Sequence, residues 1–235
     1  MSVLKSLAVW AVSRGLRLPE ASLDRVIELT FLRRLLRQLR IDCVLDVGAN
    51  RGQFAAELRG IGYRGHIVSF EPISSEFQAL ERRFNGDPKW IGYQCALGSA
   101  AAEMPLTVPR LSVMSSFLEA QVTDAMARTE MVSVKRLDEL MAELPVKMAN
   151  TRIFLKMDTQ GFDLEVFRGA SGCMDAIRGL QSELSVKPIY KNMPHYLEAL
   201  ARYEEAGFDL YNVSVVNRVE GGGLLELNCF MRRAR

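Results

Sequence analysis

Residues able to do chemistry recur in this sequence at the ends of apolar runs. Asp46-x-Gly48-x-Asn50-x-Gly52 follows Val44-Leu45, and Glu71-Pro72 closes the run His66 to Phe70. Lys156-x-Asp158-x-Gln160-Gly161 closes Ile153 to Met157, and Glu183 lies within the run Leu180 to Ser185, ahead of His195. A carboxylate at a strand exit accepts hydrogen bonds from a hydroxyl-bearing ligand or takes a proton from it. Lys156 and Asp158 share the parity of an extended strand, so both reach the same side, where the ammonium keeps the aspartate ionised.

The spacing discriminates among ligands. A dinucleotide fingerprint needs G-x-G-x-x-G, and a phosphate loop of the Walker type needs its lysine; neither is present. An acid leading the turn repels phosphate and suits a cationic ligand without it. S-adenosylmethionine (SAM), with a sulfonium, an ammonium and a ribose diol, has that chemistry. Gly48 and Gly52 allow a tight turn, and Asn50 tolerates the left-handed conformation better than most residues. Glu71, about twenty residues further on, is placed to accept both ribose hydroxyls, as acids do in nucleoside-binding sheets. Pro72 needs no backbone donor at the strand exit.

These motifs resemble those of the FkbM-type SAM-dependent methyltransferases. The similar blocks are Asp46-Val47-Gly48-Ala49-Asn50-x-Gly52-x-Phe54, Phe70-Glu71-Pro72, Ala96-Leu97-Gly98, Ser115-Ser116, Val134-x-x-Leu137-Asp138-Glu139-Leu140, and Leu155-Lys156-Met157-Asp158-Thr159-Gln160-Gly161 running on to Gly169-Ala170. The resemblance spans residues 42 to 231. It implies a cofactor site made by Asp46, Gly48, Asn50, Gly52, Phe54, Glu71, Pro72 and Asp158. Ala96 and Leu97 would wall the adenine, and Ser116 would belong to the same site. S-adenosyl-L-homocysteine would be the product.

The elements that must position these residues follow in order. Residues 3–17 read as a helix with Leu4, Leu7 and Trp10 on one side and Lys5, Arg14 and Arg17 near the other. Such a helix packs over a domain or a partner, or lies on an anionic membrane surface. A second helix runs over 20–40, with Arg33, Arg34, Arg37 and Arg40 toward its end. Strands are expected at 44–47, 66–70, 90–98, 153–158 and 180–185, with a helix over 75–84. The insertion 99–136 carries strand-like pieces at 104–108 and 131–134 and is expected to fold over the carboxyl edge of the sheet. A loop through 187–195 and a helix over 196–206 lead to a hairpin, 210–216 and 224–231, turning at Gly221-Gly222-Gly223. The fold class is therefore α/β: a single Rossmann-like class I SAM methyltransferase domain over 41–235. It would have a seven-stranded, mostly parallel sheet and an antiparallel C-terminal hairpin, preceded by an N-terminal helical extension over 1–40.

Composition narrows the function classes. At 235 residues, 49% hydrophobic and 25% charged, the chain is long enough for one well-filled core. A net charge of +2 is too small to argue for a nucleic-acid partner, none is expected, and no apolar run reaches transmembrane length. The four cysteines, Cys43, Cys95, Cys173 and Cys229, form no C-x-x-C pair, a cytoplasmic pattern that suggests neither zinc nor a redox motif.

Methyl transfer from a sulfonium is an in-line displacement, and an alcohol acceptor needs a proton sink. Asp158 is the leading base, with Glu183 and His195 next and Lys156 in support; Asp158 equally suits the cofactor's ammonium. Asp158 with Glu183 forms a carboxylate pair able to hold a divalent ion, but no third ligand is spaced to join them, so no metal is expected. The resemblance implies O-methylation of a sugar, on a glycolipid or glycan, or of a polyketide-type product. A cofactor-binding module without catalysis is the alternative from another class.

Overall fold

The computed structural model describes residues 20–121, 126–144 and 151–234. The helix expected over 3–17 lies outside them. The N-terminal helix α1 (Glu20–Gln38) precedes β1 (Cys43–Val47), α2 (Gln53–Gly60), β2 (His66–Phe70), α3 (Ser74–Phe84) and β3 (Trp90–Tyr93). Then come β4 (Ala96–Leu97), β5 (Ala102–Val108), β6 (Arg128–Lys135), α4 (Leu137–Leu140), β7 (Ile153–Met157), α5 (Asp163–Arg168), β8 (Ile177–Ser185), α6 (Tyr196–Glu205), β9 (Phe208–Arg218) and β10 (Leu224–Arg233).

Seven strands form one sheet in the order β3-β2-β1-β7-β8-β10-β9. β3, β2, β1, β7 and β8 run parallel, and β10 and β9 are antiparallel to their neighbours. The α/β class and the mostly parallel seven-stranded sheet are thus as expected. The strand order reverses between β1 and β7, and in open α/β sheets that switch point is where a ligand crevice opens.

Alternation along the strands loads both faces. Cys43, Leu45 and Val47 join Leu164, Phe167 and Tyr203 in one core, whereas Val44 joins Leu32, Leu35, Phe54, Leu58 and Leu80 in the other. Helices therefore cover both sides, and the central strands read as continuous apolar runs. The boundary drawn at residue 40 falls just after a helix whose Leu32, Leu35 and Leu36 are core residues.

The long third strand over 90–98 is corrected. β3 ends at Tyr93, the Cys95 amide bonds back to the Tyr93 carbonyl at 3.0 Å, and the chain leaves the main sheet. Ala96 and Leu97 pair instead with Val134 and Lys135 of β6, in a second sheet ordered β4-β6-β5. That small sheet carries the insertion. Among the described residues no helix is long and apolar enough to cross a membrane.

Candidate active site

At the end of β1 the backbone turns through three left-handed residues, Gly48 (φ 74°), Asn50 (φ 47°) and Gly52 (φ 77°). A Cβ on Gly48 would lie 2.0 Å from the Asp158 carbonyl oxygen, so only glycine lets β1 and β7 exits approach. A Cβ on Gly52 would instead meet Leu80 and Phe84 at 2.6 Å, so that glycine serves the packing of α2 on α3.

The turn and its neighbours enclose a cavity of about 340 Å³. Gly48, Asn50, Phe54, Glu71, Pro72, Ala96, Leu97, Lys156, Asp158 and Glu183 all line it, which brings most of the sequence-derived candidates to one place. Glu71 is 3% exposed, and its carboxylate accepts the Asn50 amide at 2.7 Å and the Ile73 amide at 2.8 Å. Burial pushes Glu71 up to about 7, against the pull of those two amides. The insertion closes the far wall with Leu106, Ser112, Val113 and Phe117, and Asn50 Nδ2 donates to Ser112 Oγ at 3.2 Å.

Behind the cavity stands a chain of charges. Lys156 Nζ lies 3.2 Å from Asp46 Oδ1 and 3.4 Å from Asp158 Oδ2, over the Phe54 ring at 5.3 Å. Burial by itself would deprotonate Lys156; Asp46 and Asp158 outweigh it and hold the ammonium above its ordinary value. Asp46 is fully buried and neither of its oxygens receives a hydrogen bond, so Lys156 is what neutralises it. The reading of Asp46 as a direct cofactor ligand is therefore corrected: it is shut away from the cavity, beside Lys156.

Gln160, left-handed at φ 51°, joins the two forward carboxylates. Its Nε2 donates to Glu183 Oε2 at 2.7 Å and reaches Asp158 Oδ1 at 3.4 Å. The Tyr190 hydroxyl sits 3.1 Å from Gln160 Oε1 and 2.8 Å from the Met114 carbonyl, tying the loop after β8 to the insertion. Burial, then the nearby Asp158 charge, raises Glu183 well above an ordinary glutamate. The Asp158 side chain is 38% exposed, and both it and Glu183 line the cavity. Asp163 fixes this loop from below, accepting the Thr159 amide at 2.9 Å and the Ser182 hydroxyl at 2.6 Å. Among the described residues no three or more His, Cys, Asp or Glu side chains are grouped to hold a metal ion.

Besides Asp46 and Gly52, two further candidates are placed off the cavity lining. His195 is the N-cap of α6, its Nδ1 accepting the Leu197 amide at 3.3 Å, and it does not line the cavity. The cap engages only Nδ1; what separates His195 from Asp158 and Glu183 is its exposed position outside the cavity. Ser116 is 1% exposed and donates to the Gln160 carbonyl at 2.8 Å; its neighbour Ser115 lines the wall, as Ser112 does. Sequence reasoning gave no role to Gln160, Tyr190, Gln181, Asn228 or Arg25. Gln160 stood in the quoted motif and was legible there. Arg25 comes from α1, paired with Glu28 and Glu57, and nothing in its local sequence marks it as facing a cavity formed more than twenty residues away.

The sequence matches the Methyltransferase FkbM domain over residues 46–210. The chain belongs to the FkbM methyltransferase family. It is a SAM-dependent methyltransferase, and SAM is its cofactor. Among solved structures it is similar in fold to a putative methyltransferase from Thermobifida fusca YX (TM-score 0.50, 12% identity, 98% of this chain and 88% of that one). It is similar also to the methyltransferase domain of bacterial CtHen1 (TM-score 0.50, 9% identity, 88% of this chain and 97% of that one). No curated protein matches it.

Proposed function

We propose that this FkbM-family enzyme methylates a hydroxyl group of a sugar, carried on a glycolipid or a glycan, with Asp158 as the base. The observation that carries this reading is the Asp158–Glu183 pair, bridged by Gln160 on the cavity wall with Lys156 behind it. SAM supplies a methyl group made electrophilic by its sulfonium. Ionised Glu71 accepts the ribose hydroxyls, and Ala96, Leu97 and Phe117 give the adenine an apolar slot.

Asp158 takes the acceptor's proton as the new O–C bond forms and the C–S bond breaks, and S-adenosyl-L-homocysteine leaves. The Lys156 ammonium stands 3.4 Å behind Asp158 for that step, and the Gln160 amide reaches both Asp158 and Glu183 to hold the carboxylate in place. A hydroxyl-rich acceptor is favoured by the wall beyond Asp158, where Gln160, Gln181, Glu183 and Asn228 cluster. Gln181 is 3% exposed and its Oε1 has no hydrogen-bond partner, so a donor from the ligand would relieve a buried vacancy.

The test is transfer of labelled methyl from SAM into fractionated extract of the native host. Label in the glycolipid or glycan fraction, surviving as a methylated monosaccharide after acid hydrolysis, is the expected result. Label confined to a sugar-free lipophilic product would assign a polyketide-type hydroxyl, and label in RNA would overturn the small-acceptor reading.

A further inference from the structure

We propose that the outward stripe of α1 docks the enzyme on an anionic lipid bilayer. Leu23, Val26, Ile27, Arg33, Arg34 and Arg37 fall on one stripe at helical spacing, opposite the buried Leu32, Leu35 and Leu36. The first half is apolar and open: Leu23, Val26 and Ile27 are 41%, 61% and 65% exposed. The outward face of a helix packed on a core ordinarily carries polar groups there.

The second half is arginine. Among the described residues none of Arg33, Arg34, Arg37 and Arg40 is ion-paired with a carboxylate. Arg33, Arg37 and Arg40 also join Arg64, from the turn before β2, around a groove of about 240 Å³ beside Tyr63, and no carboxylate lines it. Four cations around an acid-free groove suit a phosphodiester headgroup. Apolar side chains able to enter the headgroup layer, continuous with cations for the phosphates, are the two attractions of an interfacial helix. A second copy of this chain would bring arginine against arginine, whereas a bilayer supplies both the apolar layer and the counter-charge.

The stripe is separate from the catalytic cavity: α1 reaches that cavity through Arg25 on its inward side, and the arginine groove lies beside Ile41 and Gly65, before β1 and β2. Docking on this stripe does not depend on which acceptor the enzyme takes.

The full-length protein, with and without vesicles, decides the matter. It is sedimented with sucrose-loaded vesicles of phosphatidylcholine alone and of phosphatidylcholine mixed with phosphatidylglycerol, and its own association is followed by analytical ultracentrifugation. The protein should sediment with the mixed vesicles only, and the V26D/I27D double variant should lose this. Each arginine-to-glutamine change at Arg33, Arg37 or Arg40 should lower the partition coefficient about fivefold, with SAM affinity unchanged as proof of fold. Absence of binding, or binding that ignores these variants, overturns the proposal. A concentration-dependent dimer that V26D/I27D dissolves would give the stripe to a second copy and overturn it equally.

Discussion

Glu71 shows how a binding carboxylate is kept poised. Two backbone amides fix its oxygens, yet burial outweighs them and raises it from the ordinary 4.5 to about 7. Because the folded-state value lies above the unfolded one, the native protein binds the extra proton between those two limits. Stability of the ligand-free protein therefore falls as pH rises from about 4.5 to about 7, and the loss persists above. The variant E71Q removes the ionisable group, so the pH dependence of its stability between about 4.5 and about 7 should flatten, while its NH2, turned toward one of the two donating amides, should lower stability at every pH. The same change should weaken SAM binding, since ribose hydroxyls need the ionised acceptor. Wild-type SAM affinity should decline as pH falls through about 7, and that dependence should vanish in E71Q. Titration calorimetry across pH, with melting curves beside it, measures both effects.

The elements that place these residues were read from the sequence to different depths. The β1 turn, Glu71, and the Lys156-to-Gly161 block were legible because each combines an apolar run with residue types tied to a specific backbone or charge requirement. The split of residues 90–98 was not, because a continuous apolar run gives no sign that its last two residues pair with a different sheet. His195 misled for the opposite reason: its residue type suggests chemistry, while the fold leaves it exposed outside the cavity. Helix α1 is the element whose importance sequence order most concealed. It precedes the first strand, yet Leu32, Leu35 and Leu36 pack under the sheet and Arg25 reaches the cavity. Leu35 is 1% exposed, so L35A should cost about 2 to 5 kcal/mol in denaturant unfolding, with a single transition. A separate early transition for α1 would instead mark it as an independent appendage.

Across the whole molecule, the cavity is built at the sheet's switch point. β1 and β2 exits carry the turn and Glu71 to the cavity from one side of that point, and β7 and β8 carry Asp158 and Glu183 to it from the other. The insertion, held on its own small sheet, closes over both and is stitched to them through Ser112, Ser116 and Tyr190. Acceptor identity was not legible in the sequence because it depends on a wall assembled from β8, β10 and α1, elements that meet only in the folded chain. The central claim is that Asp158 serves the chemical step rather than cofactor binding. Its most direct test is D158N, with turnover at saturating SAM and SAM affinity measured on the same preparation. The account predicts turnover lowered by about 10²- to 10⁴-fold with SAM affinity nearly unchanged. Full turnover at saturating SAM with affinity lost in proportion would contradict it and leave Asp158 as a cofactor ligand alone.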